Sequence, residues 1–351
     1  MASRRQKETH NLNFLLRDFP IMADSDPFSC FGSDNEEEDE SPTENTHNAS
    51  TTDHNRDPNC GVFSFHPNTE QSLLMHLQNN LSIQNKESND ELFVSEKVLA
   101  EIDNYCETRA WMMHVGPEKG IIIQDALEKQ LDDFIKKSTL VGTHDKNVNK
   151  TKNFIALELG TYCGYGSIFL ARKLHEYAKE HENVNIHLFT IEINPIFANI
   201  AKKIIKLAKL SDYISVLNSD LLMDGTTSDV AELLKDGISQ HLMIDIHDKC
   251  CLDFVMIDHD KDNYLSDLKK LEKNGMIQRG TTVAADNVIF GKIDDYVSYM
   301  KALDKKGIVS TVTEESNVEY YAPDIERYKG SKELFRDGVE ITKYLKEPYP
   351  E

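Results

Sequence analysis

The sequence predicts an α/β fold with a Rossmann-like, mostly parallel central sheet and helices on both faces. Two observations lead to this prediction. Short apolar runs alternate with amphipathic segments, as in NFIALELG followed by GSIFLARKLHEYAKEH. The alternation begins only after a polar stretch of 68 residues with an acidic run at 36–40. Strands that alternate with helices form parallel sheets covered on both faces, and such sheets bind ligands at the carboxyl ends of their strands.

The elements follow one another in a regular order from residue 69. Apolar residues at helical spacing predict helices ahead of the sheet in EQSLLMHLQNN, SEKVLAEIDNYCETRAWMM and IIIQDALEKQLDDFIKKS. The predicted strands are NFIALELG, VNIHLFTIEI, ISVLNSD, DFVMID and GTTVAADN. The helices predicted between and after them are GSIFLARKLHEYAKEH, NPIFANIAKKIIKLAKL, AELLKDGI, LSDLKKLEKNG and DDYVSYMKAL.

Composition and charge limit the class of protein. The 351 residues carry a formal net charge of −21, which argues against a nucleic-acid-binding surface. The six cysteines are irregularly spaced, which favours a reduced, cytoplasmic location. No run approaches the roughly 18–20 apolar residues of a membrane-spanning helix, so we expect no membrane insertion. We interpret residues 1–68 as a disordered tail whose acidic run could bind a basic partner. We interpret residues 69–351 as one folded domain.

The first predicted strand ends in a glycine-containing loop that indicates a nucleoside-binding site. Gly160, Gly164 and Gly166 have G-x-x-x-G-x-G spacing, and no Lys or Arg stands in the loop to meet a pyrophosphate. Glu192, at the end of the next strand, is placed to accept both hydroxyls of a ribose. S-adenosylmethionine fits these features. The alternatives are plain strand-to-helix turns and an NAD-dependent oxidoreductase, which the glycine spacing disfavours.

Acidic and amide side chains end two later strands. Asp258 follows FVMI, and Asp286 and Asn287 follow TTVAA. Two carboxylates and an amide at neighbouring strand ends predict an all-oxygen site for a hard divalent cation, Mg²⁺ above all. Lys261 comes three residues after Asp258 and is predicted to act as a general base toward a metal-bound hydroxyl. The structural alternatives are a helix cap for Asp258 and a surface charge for Lys261.

Five motifs in one order make the chain from about residue 69 to residue 348 resemble the catechol O-methyltransferases. They are IDNYCETRAWMMHVGPEKG, LELGTYCGYGS, TIEINP, IDHDKDNYL and ADNVI, and DGVEITKYLKEP resembles the family's closing strand. The resemblance implies a class I methyltransferase fold and methyl transfer from S-adenosylmethionine to one hydroxyl of a Mg²⁺-chelated catechol. The implied metal ligands are Asp258, Asp286 and Asn287. The implied catalytic residues are Lys261, as the base, and Glu319, which binds the other catechol hydroxyl.

The resemblance also implies the residues around the methyl donor and the substrate. Donor contacts are implied for Met113, Val115, Glu158, Gly160, Tyr162, Glu192, Ile193 and His259. Gly166 and Ser167 are assigned to the donor as well, although Gly166 stands where the family has a serine and Ser167, the next residue, is expected to substitute for it. Asp220 is assigned to the adenine amine, although the family's usual segment there is replaced by SDLL. Trp111 matches an aromatic gatekeeper of the substrate groove, which Asp260, Lys261, Asn287 and Glu319 also line.

Departures from the family concern the substrate groove. Asp260 stands where the family has a tryptophan and Gly291 where it has a proline, so two apolar walls are missing. Asp260 suggests a preference for cationic catechols such as dopamine, and the alternative is that it faces solvent beside a wider groove. Insertions at about residues 136–152, 226–251 and 322–336 alter the rim. There are two alternatives for the function of this chain. It methylates another vicinal diol or phenol, or it is a non-catalytic regulatory protein that binds S-adenosylmethionine.

Overall fold

A computed structural model describes residues 68–84, 90–141, 152–181, 183–218, 230–242, 251–320 and 335–349. The strands among them are β1 Lys152–Leu159, β2 Val184–Ile191, β3 Ile214–Leu217, β4 Phe254–Ile257, β5 Thr282–Ala285, β6 Val309–Asn317 and β7 Arg336–Tyr344. They form one sheet in the order β3-β2-β1-β4-β5-β7-β6. Strands β1 to β5 pair in parallel, whereas β7 runs antiparallel to β5 and β6. The prediction of a Rossmann-like class I methyltransferase fold is confirmed.

Helices cover both faces of this sheet. They are α1 Thr69–Gln84, α2 Glu91–Thr108, α3 Gly116–Val141, α4 Tyr165–Glu180, α5 Pro195–Leu207, α6 Val230–Leu242, α7 Tyr264–Lys273 and α8 Asp294–Lys305. A short 3₁₀-helix, Lys261–Asn263, joins β4 to α7. Helices α1 to α5 contribute to one hydrophobic core, and α6, α7 and α8 contribute to a second core on the other face. None of the described helices is both long and apolar enough to cross a bilayer.

Strand β1 shows why its sequence is a nearly continuous apolar run. Phe154 and Ala156 belong to the first core, whereas Ile155 and Leu157 belong to the second. Successive residues of a strand point to opposite faces of the sheet, so a strand covered on both faces buries side chains of both sets, as β1 does from Phe154 to Leu159. This burial fixes the strand in the middle of the sheet, where its carboxyl end meets those of β2 and β4.

The second predicted helix is shorter than the apolar spacing suggested. Helix α2 ends at Thr108, whereas the pattern extended to Met113. Residues 110–115 form a loop that buries Met112 and Val115 in or beside the first core. Tertiary contacts at the sheet edge, and not helical periodicity, therefore determine the conformation of this loop.

Strand β6 was not predicted from the sequence. Its residues, VSTVTEESN, are mostly polar and carry two glutamates. The strand lies at the edge of the sheet and pairs only with β7 among the described residues. An edge strand buries little of its surface and therefore lacks the apolar run that identifies the central strands.

Several predicted features lie outside the described residues. They include the acidic tail at residues 1–67, parts of the three insertions and the SDLL segment with Asp220. The predictions made for these segments stay predictions.

Candidate active site

The predicted site residues come together at one edge of the sheet because the strand ends are aligned there. Leu159 of β1 pairs with Ile191 of β2 and with Ile257 of β4, and Ile257 pairs with Ala285 of β5. The next residues along each strand are the ones that the sequence singled out: Gly160, Glu192, Asp258 and Asp286. Parallel pairing at this register puts their backbones side by side.

Gly160 allows the first two loops at this edge to approach each other. Its φ angle is +97°, in the region that favours glycine. A Cβ at this position would lie 2.0 Å from the carbonyl oxygen of Asp258. Any side chain at residue 160 would therefore separate the loop after β1 from the loop after β4.

Glu158 is a buried carboxylate beneath the glycine loop. Its side chain accepts hydrogen bonds from the hydroxyl of Ser167 and, at 2.6 Å, from that of Thr190. Burial raises its pKa to about 8, although these hydrogen bonds oppose the rise. A Cβ on Gly166 would lie 2.3 Å from Oε1 of Glu158. Gly166 thus leaves space for the carboxylate, and Ser167 orients it.

Glu192 is held by backbone hydrogen bonds at the end of β2. Its Oε2 accepts from the N–H of Tyr162 at 2.8 Å, and its Oε1 accepts from the N–H of Asn194 at 2.9 Å. Each carboxylate oxygen keeps acceptor capacity for a further donor. The side chain of Ile193, next along the chain, is half exposed. This corner of the site thus presents fixed acceptor oxygens beside an apolar surface.

Two further donor-side predictions involve contacts with the surrounding helices. The hydroxyl of Tyr162 donates to Oε1 of Glu70 at 2.7 Å, which ties α1 to the glycine loop. In the loop before α3, Val115 is buried and Met113 is exposed. Helix α1 therefore contacts the glycine loop, and the loop before α3 carries one buried and one exposed predicted donor contact.

His259 is partly buried, and one of its ring nitrogens has a hydrogen-bond partner. Its Nε2 lies 2.9 Å from Oδ2 of Asp267, and its ring stacks on that of Tyr264 with centroids 5.2 Å apart. Its Nδ1 is buried and has no hydrogen-bond partner among the described residues. A buried polar atom of this kind is commonly satisfied by a ligand or water.

Lys261 lies where two predicted metal ligands converge. Its Nζ is 3.2 Å from Oδ1 of Asp258, 2.7 Å from Oδ1 of Asn287 and 2.9 Å from the hydroxyl of Tyr264. The ammonium group thus occupies the position of a cation between the oxygens of two strand-end loops. Within the described part of the chain, no three His, Cys, Asp or Glu side chains meet as a metal-binding group. The predicted set contains only two carboxylates, together with the amide of Asn287, and stays a prediction.

Asp286 has different neighbours. Its Oδ2 lies 3.0 Å from Nζ of Lys119, and its Oδ1 accepts the N–H of Asn287 at 2.8 Å. Burial raises its pKa above the ordinary value, and the nearby negative charge of Asp258 adds to that rise, while Lys119 opposes it. Asp286 is therefore a buried carboxylate beside an ammonium group at the predicted metal site.

Lys119 is a functional candidate that the sequence reasoning missed. This residue of the first turn of α3 is only 1% exposed. Its Nζ lies 2.8 Å from Asp337 and 3.0 Å from both Asp286 and Glu319. Burial lowers its pKa, but the three carboxylates outweigh burial and hold the pKa well above its ordinary value. Lys119 therefore joins α3 to the loops that carry two of the predicted site residues.

A signal for Lys119 was present in the sequence. Lys119, Ile123, Leu127 and Leu131 recur every four residues, and all four are buried. Residues at this spacing share one helix face, so the lysine falls on the apolar face of α3. A lysine on such a face requires carboxylate partners, which only the folded chain reveals.

Asp337, at the start of β7, was missed as well. Its Oδ2 accepts hydrogen bonds from Nδ2 of Asn287 and from Nζ of Lys119, both at 2.8 Å, and its Oδ1 accepts from the N–H of Phe290 at 3.1 Å. Burial raises its pKa, but Lys119 and the hydrogen bonds outweigh burial and hold the pKa below its ordinary value. Asp337 is therefore an ionised acceptor behind the predicted metal site.

The predicted substrate side is partly aromatic. The indole Nε1 of Trp111 donates to the carbonyl oxygen of Glu319 at 3.4 Å. Trp111 and Phe290 pack against the buried side chains of Val318 and Phe335. Phe290 and Phe335 thus provide apolar surface near the sheet edge where the family's tryptophan and proline are replaced.

The two replaced positions have local structural roles. Asp260 is exposed, and its carboxylate accepts from the N–H of Asp262 at 3.3 Å and from Nδ2 of Asn263 at 2.8 Å, so it caps the 3₁₀-helix. The N–H of Gly291 donates to the carbonyl oxygen of Asn287 at 2.7 Å. A proline has no N–H, and any Cβ there would lie 2.7 Å from the same oxygen.

Comparisons with known proteins identify relatives of the chain. A sequence model of the O-methyltransferase family matches residues 146–305. Over 201 residues the chain is 33% identical to catechol O-methyltransferase B of Danio rerio, which covers 57% of this chain and 60% of that protein. Over 184 residues it is 32% identical to the catechol O-methyltransferase of Sus scrofa, covering 52% of this chain and 75% of that protein. The chain thus spans less than two thirds of the Danio rerio relative.

Among solved structures, the chain is similar to an O-methyltransferase from Bacillus cereus in complex with SAH. The TM-score is 0.43 at 18% sequence identity, and the match covers 78% of this chain and 97% of that chain.

Proposed function

The chain belongs to the catechol O-methyltransferase family, and we propose that it transfers a methyl group from S-adenosylmethionine to one hydroxyl of a Mg²⁺-chelated catechol. The observation that carries the proposal is the convergence of Asp258, Asn287 and Lys261, with Asp286 on the adjoining strand end. This group lies at the same sheet edge as the glycine loop. Groups for donor binding, cation binding and proton transfer are therefore adjacent.

The donor side is acidic and matches a cationic nucleoside. Glu158 and Glu192 are buried acceptors around a loop that contains no Lys or Arg. S-adenosylmethionine carries an ammonium and a sulfonium group, and a nearby positive charge favours the ionised form of a buried carboxyl such as Glu158. The half-exposed Ile193 and the exposed Met113 would lose solvent contact beneath the adenosine. A pyrophosphate-bearing nucleotide would meet carboxylates there instead.

The residues present fit a magnesium ion. Asp258, Asp286 and Asn287 offer only oxygen atoms, which Mg²⁺ prefers, and an ammonium already lies within 3.2 Å of two of these oxygens. When bound, Mg²⁺ would supply positive charge that favours the ionised hydroxyl of the substrate. Because Mg²⁺ usually keeps open coordination positions, a vicinal pair of substrate hydroxyls can complete the set.

Lys261 is the proposed base. Its Nζ lies 3.2 Å from Oδ1 of Asp258 and 2.7 Å from Oδ1 of Asn287, and a lysine accepts a proton only in its neutral form. In this role Lys261 would take the proton of the substrate hydroxyl. After proton transfer, the catecholate oxygen forms a bond to the methyl carbon, and the electrons of the broken C–S bond go to sulfur. The products are a methyl ether and S-adenosylhomocysteine.

Glu319 is proposed to bind the second hydroxyl of the catechol. Its side chain is nearly buried and lies 3.0 Å from Lys119. Burial raises its pKa above the ordinary value, although Lys119 opposes the rise. A carboxylate fixed in this way orients the ring, so the site acts mainly through positioning and electrostatics.

The test is methyl transfer to a panel of a catechol, a simple phenol and an aliphatic vicinal diol, each with Mg²⁺ and with excess EDTA. We expect methylation of the catechol only, with loss of turnover in EDTA. Methylation of the phenol in EDTA would contradict both the chelate and the metal. Methylation of the aliphatic diol with Mg²⁺ would instead support the alternative of another vicinal diol as substrate.

A variant pair separates catalysis from donor binding. Asp286→Ala should bind S-adenosylmethionine, measured by calorimetry, while turnover is lost. Asp262→Ala is the matched control, because Asp262 is an exposed aspartate four residues after Asp258. Donor binding by the wild-type protein without turnover on any member of the panel would favour the non-catalytic alternative.

A further inference from the structure

The amide group of Asn287 has a defined orientation in the structure. Its Oδ1 lies 2.7 Å from Nζ of Lys261, and its Nδ2 lies 2.8 Å from Oδ2 of Asp337. An ammonium group only donates hydrogen bonds, and an ionised carboxylate only accepts them. A flipped amide would therefore put NH₂ against an ammonium and oxygen against a carboxylate. Asp337 and the cation position select one orientation together.

The carboxylate of Asp337 is itself fixed. Its Oδ2 accepts from Lys119 and its Oδ1 from the backbone N–H of Phe290, and the residue is fully buried. Burial and the adjacent ammonium keep Asp337 from exchanging its partners with water. The hydrogen bond to Asn287 thus starts from a rigid acceptor.

We propose that Asp337 is a positioning residue that directs the carbonyl oxygen of Asn287 toward the metal position. The inference rests on the proposed function, because it gives Asn287 the role of a Mg²⁺ ligand. An amide has one oxygen, so it binds a cation in only one of its two orientations, whereas a carboxylate needs no such selection. Groups that hydrogen-bond to metal ligands commonly orient them, and their loss weakens metal binding or activity by ~10–100-fold.

The backbone of Asn287 gives an independent reason for an asparagine at this position. Its φ angle is +56°, in the left-handed region where Asn and Asp are the most tolerated residues after glycine. This conformation explains the choice of Asn or Asp, but it does not explain the hydrogen bond to Asp337. A test must therefore separate support of the backbone from orientation of the amide.

The first experiment measures Mn²⁺ binding by electron paramagnetic resonance, with the full chain and without substrate turnover. Asp337→Ala should raise the Kd for Mn²⁺ by ~10-fold or more, because the amide loses the acceptor that orients it. Lys119 keeps Asp286 and Glu319 as partners in this variant. The matched control is Asp253→Ala. Asp253 directly precedes β4, at the amino ends of the parallel strands and away from the site, and its side chain accepts the N–H of Ile155 at 2.9 Å. Its loss should leave the Kd for Mn²⁺ unchanged.

The second experiment replaces the amide by a carboxylate, which needs no orientation because both of its atoms are oxygens. Asp337→Ala is made in the wild-type background and in the Asn287→Asp background. We expect it to weaken Mn²⁺ binding by ~10-fold or more in the first background and not to weaken it in the second. The same comparison with Asp337→Val, whose side chain fills more of the buried space, serves if Asp337→Ala does not fold.

Each result has a distinct consequence. Unchanged Mn²⁺ binding in Asp337→Ala, or an equal loss of Mn²⁺ binding on removal of the Asp337 carboxylate in the wild-type and Asn287→Asp backgrounds, would overturn the positioning role alone. Failure of the wild-type protein to bind Mn²⁺ would overturn the magnesium part of the proposed function, and this inference with it. Thermal unfolding of every variant in EDTA shows whether a weaker metal site reflects loss of folding.

Discussion

Replacement of the buried Lys119 by methionine tests the electrostatic organisation of the site most directly. Methionine keeps much of the apolar stem but removes the charge that lies within 3.0 Å of Asp286, Glu319 and Asp337. Loss of one partner from a buried ionic group leaves uncompensated charge and typically lowers the free energy of unfolding by about 3–5 kcal/mol. For a protein of this size, ~2–4 °C is lost per kcal/mol, so we expect the melting temperature to fall by roughly 6–20 °C.

The assay is thermal unfolding in EDTA at pH 8 and at pH 5. Without Lys119, the pKa values of Asp286 and Glu319, which burial already raises, should rise further, and the pKa of Asp337 should rise as well. Groups with raised pKa values contribute stability below their unfolded pKa and lose it as the pH rises through the folded pKa. The difference in melting temperature between Lys119→Met and the wild-type protein should therefore be larger at pH 8 than at pH 5.

The matched control for this prediction is Lys173→Met. Lys173 is a partly exposed lysine 3.5 Å from Glu128 and 3.7 Å from Glu176, and exposed pairs of this kind contribute about 0–1 kcal/mol. A destabilisation of Lys119→Met no larger than that of the control would refute the electrostatic reasoning. An equal destabilisation at both pH values would attribute the loss to packing instead.

Three further predictions concern the other parts of the site. Lys261→Ala should lower kcat by ~10²–10⁴-fold, measured in stopped assays, with little change in donor affinity, measured by calorimetry. A loss of kcat below ~threefold would mean that Lys261 is only a surface charge. Glu158→Gln is tested by the free energy of unfolding of the donor-free protein between pH 5 and pH 8. Burial raises the pKa of Glu158 to about 8, so the wild-type protein loses stability as the pH rises over that range, and the glutamine variant does not. The stability of the variant relative to wild type should therefore increase with pH. Equal pH profiles of unfolding would contradict the burial of an ionisable Glu158. Asp260→Asn should change the ratio of kcat/KM for an amine-bearing and an acid-bearing catechol by less than ~twofold, because Asp260 is exposed and caps the 3₁₀-helix. A larger change would support the hypothesis that Asp260 selects cationic catechols.

The loops after β4 and β5 show how far sequence reasoning reaches. Asp258, Asp286 and Asn287 were located because each follows a buried strand, and the ends of neighbouring parallel strands meet at one sheet edge. The alternation of strands and helices is a local property, so it predicted the α/β fold. Strand β6 was missed because an exposed edge strand lacks that local signal.

The sequence by itself determined which residues lie at the strand ends, because the spacing of apolar residues along the chain differs between helices and strands and can be read from neighbouring positions. Only the tertiary structure decided which charges neutralise one another. Lys119 and Asp337 are separated by 218 residues and meet at 2.8 Å in a buried site. Their pairing, and the orientation that Asp337 imposes on Asn287, depend on distances between α3, β5 and β7. No spacing along the chain encodes those distances, because they arise when the helix packs on the sheet.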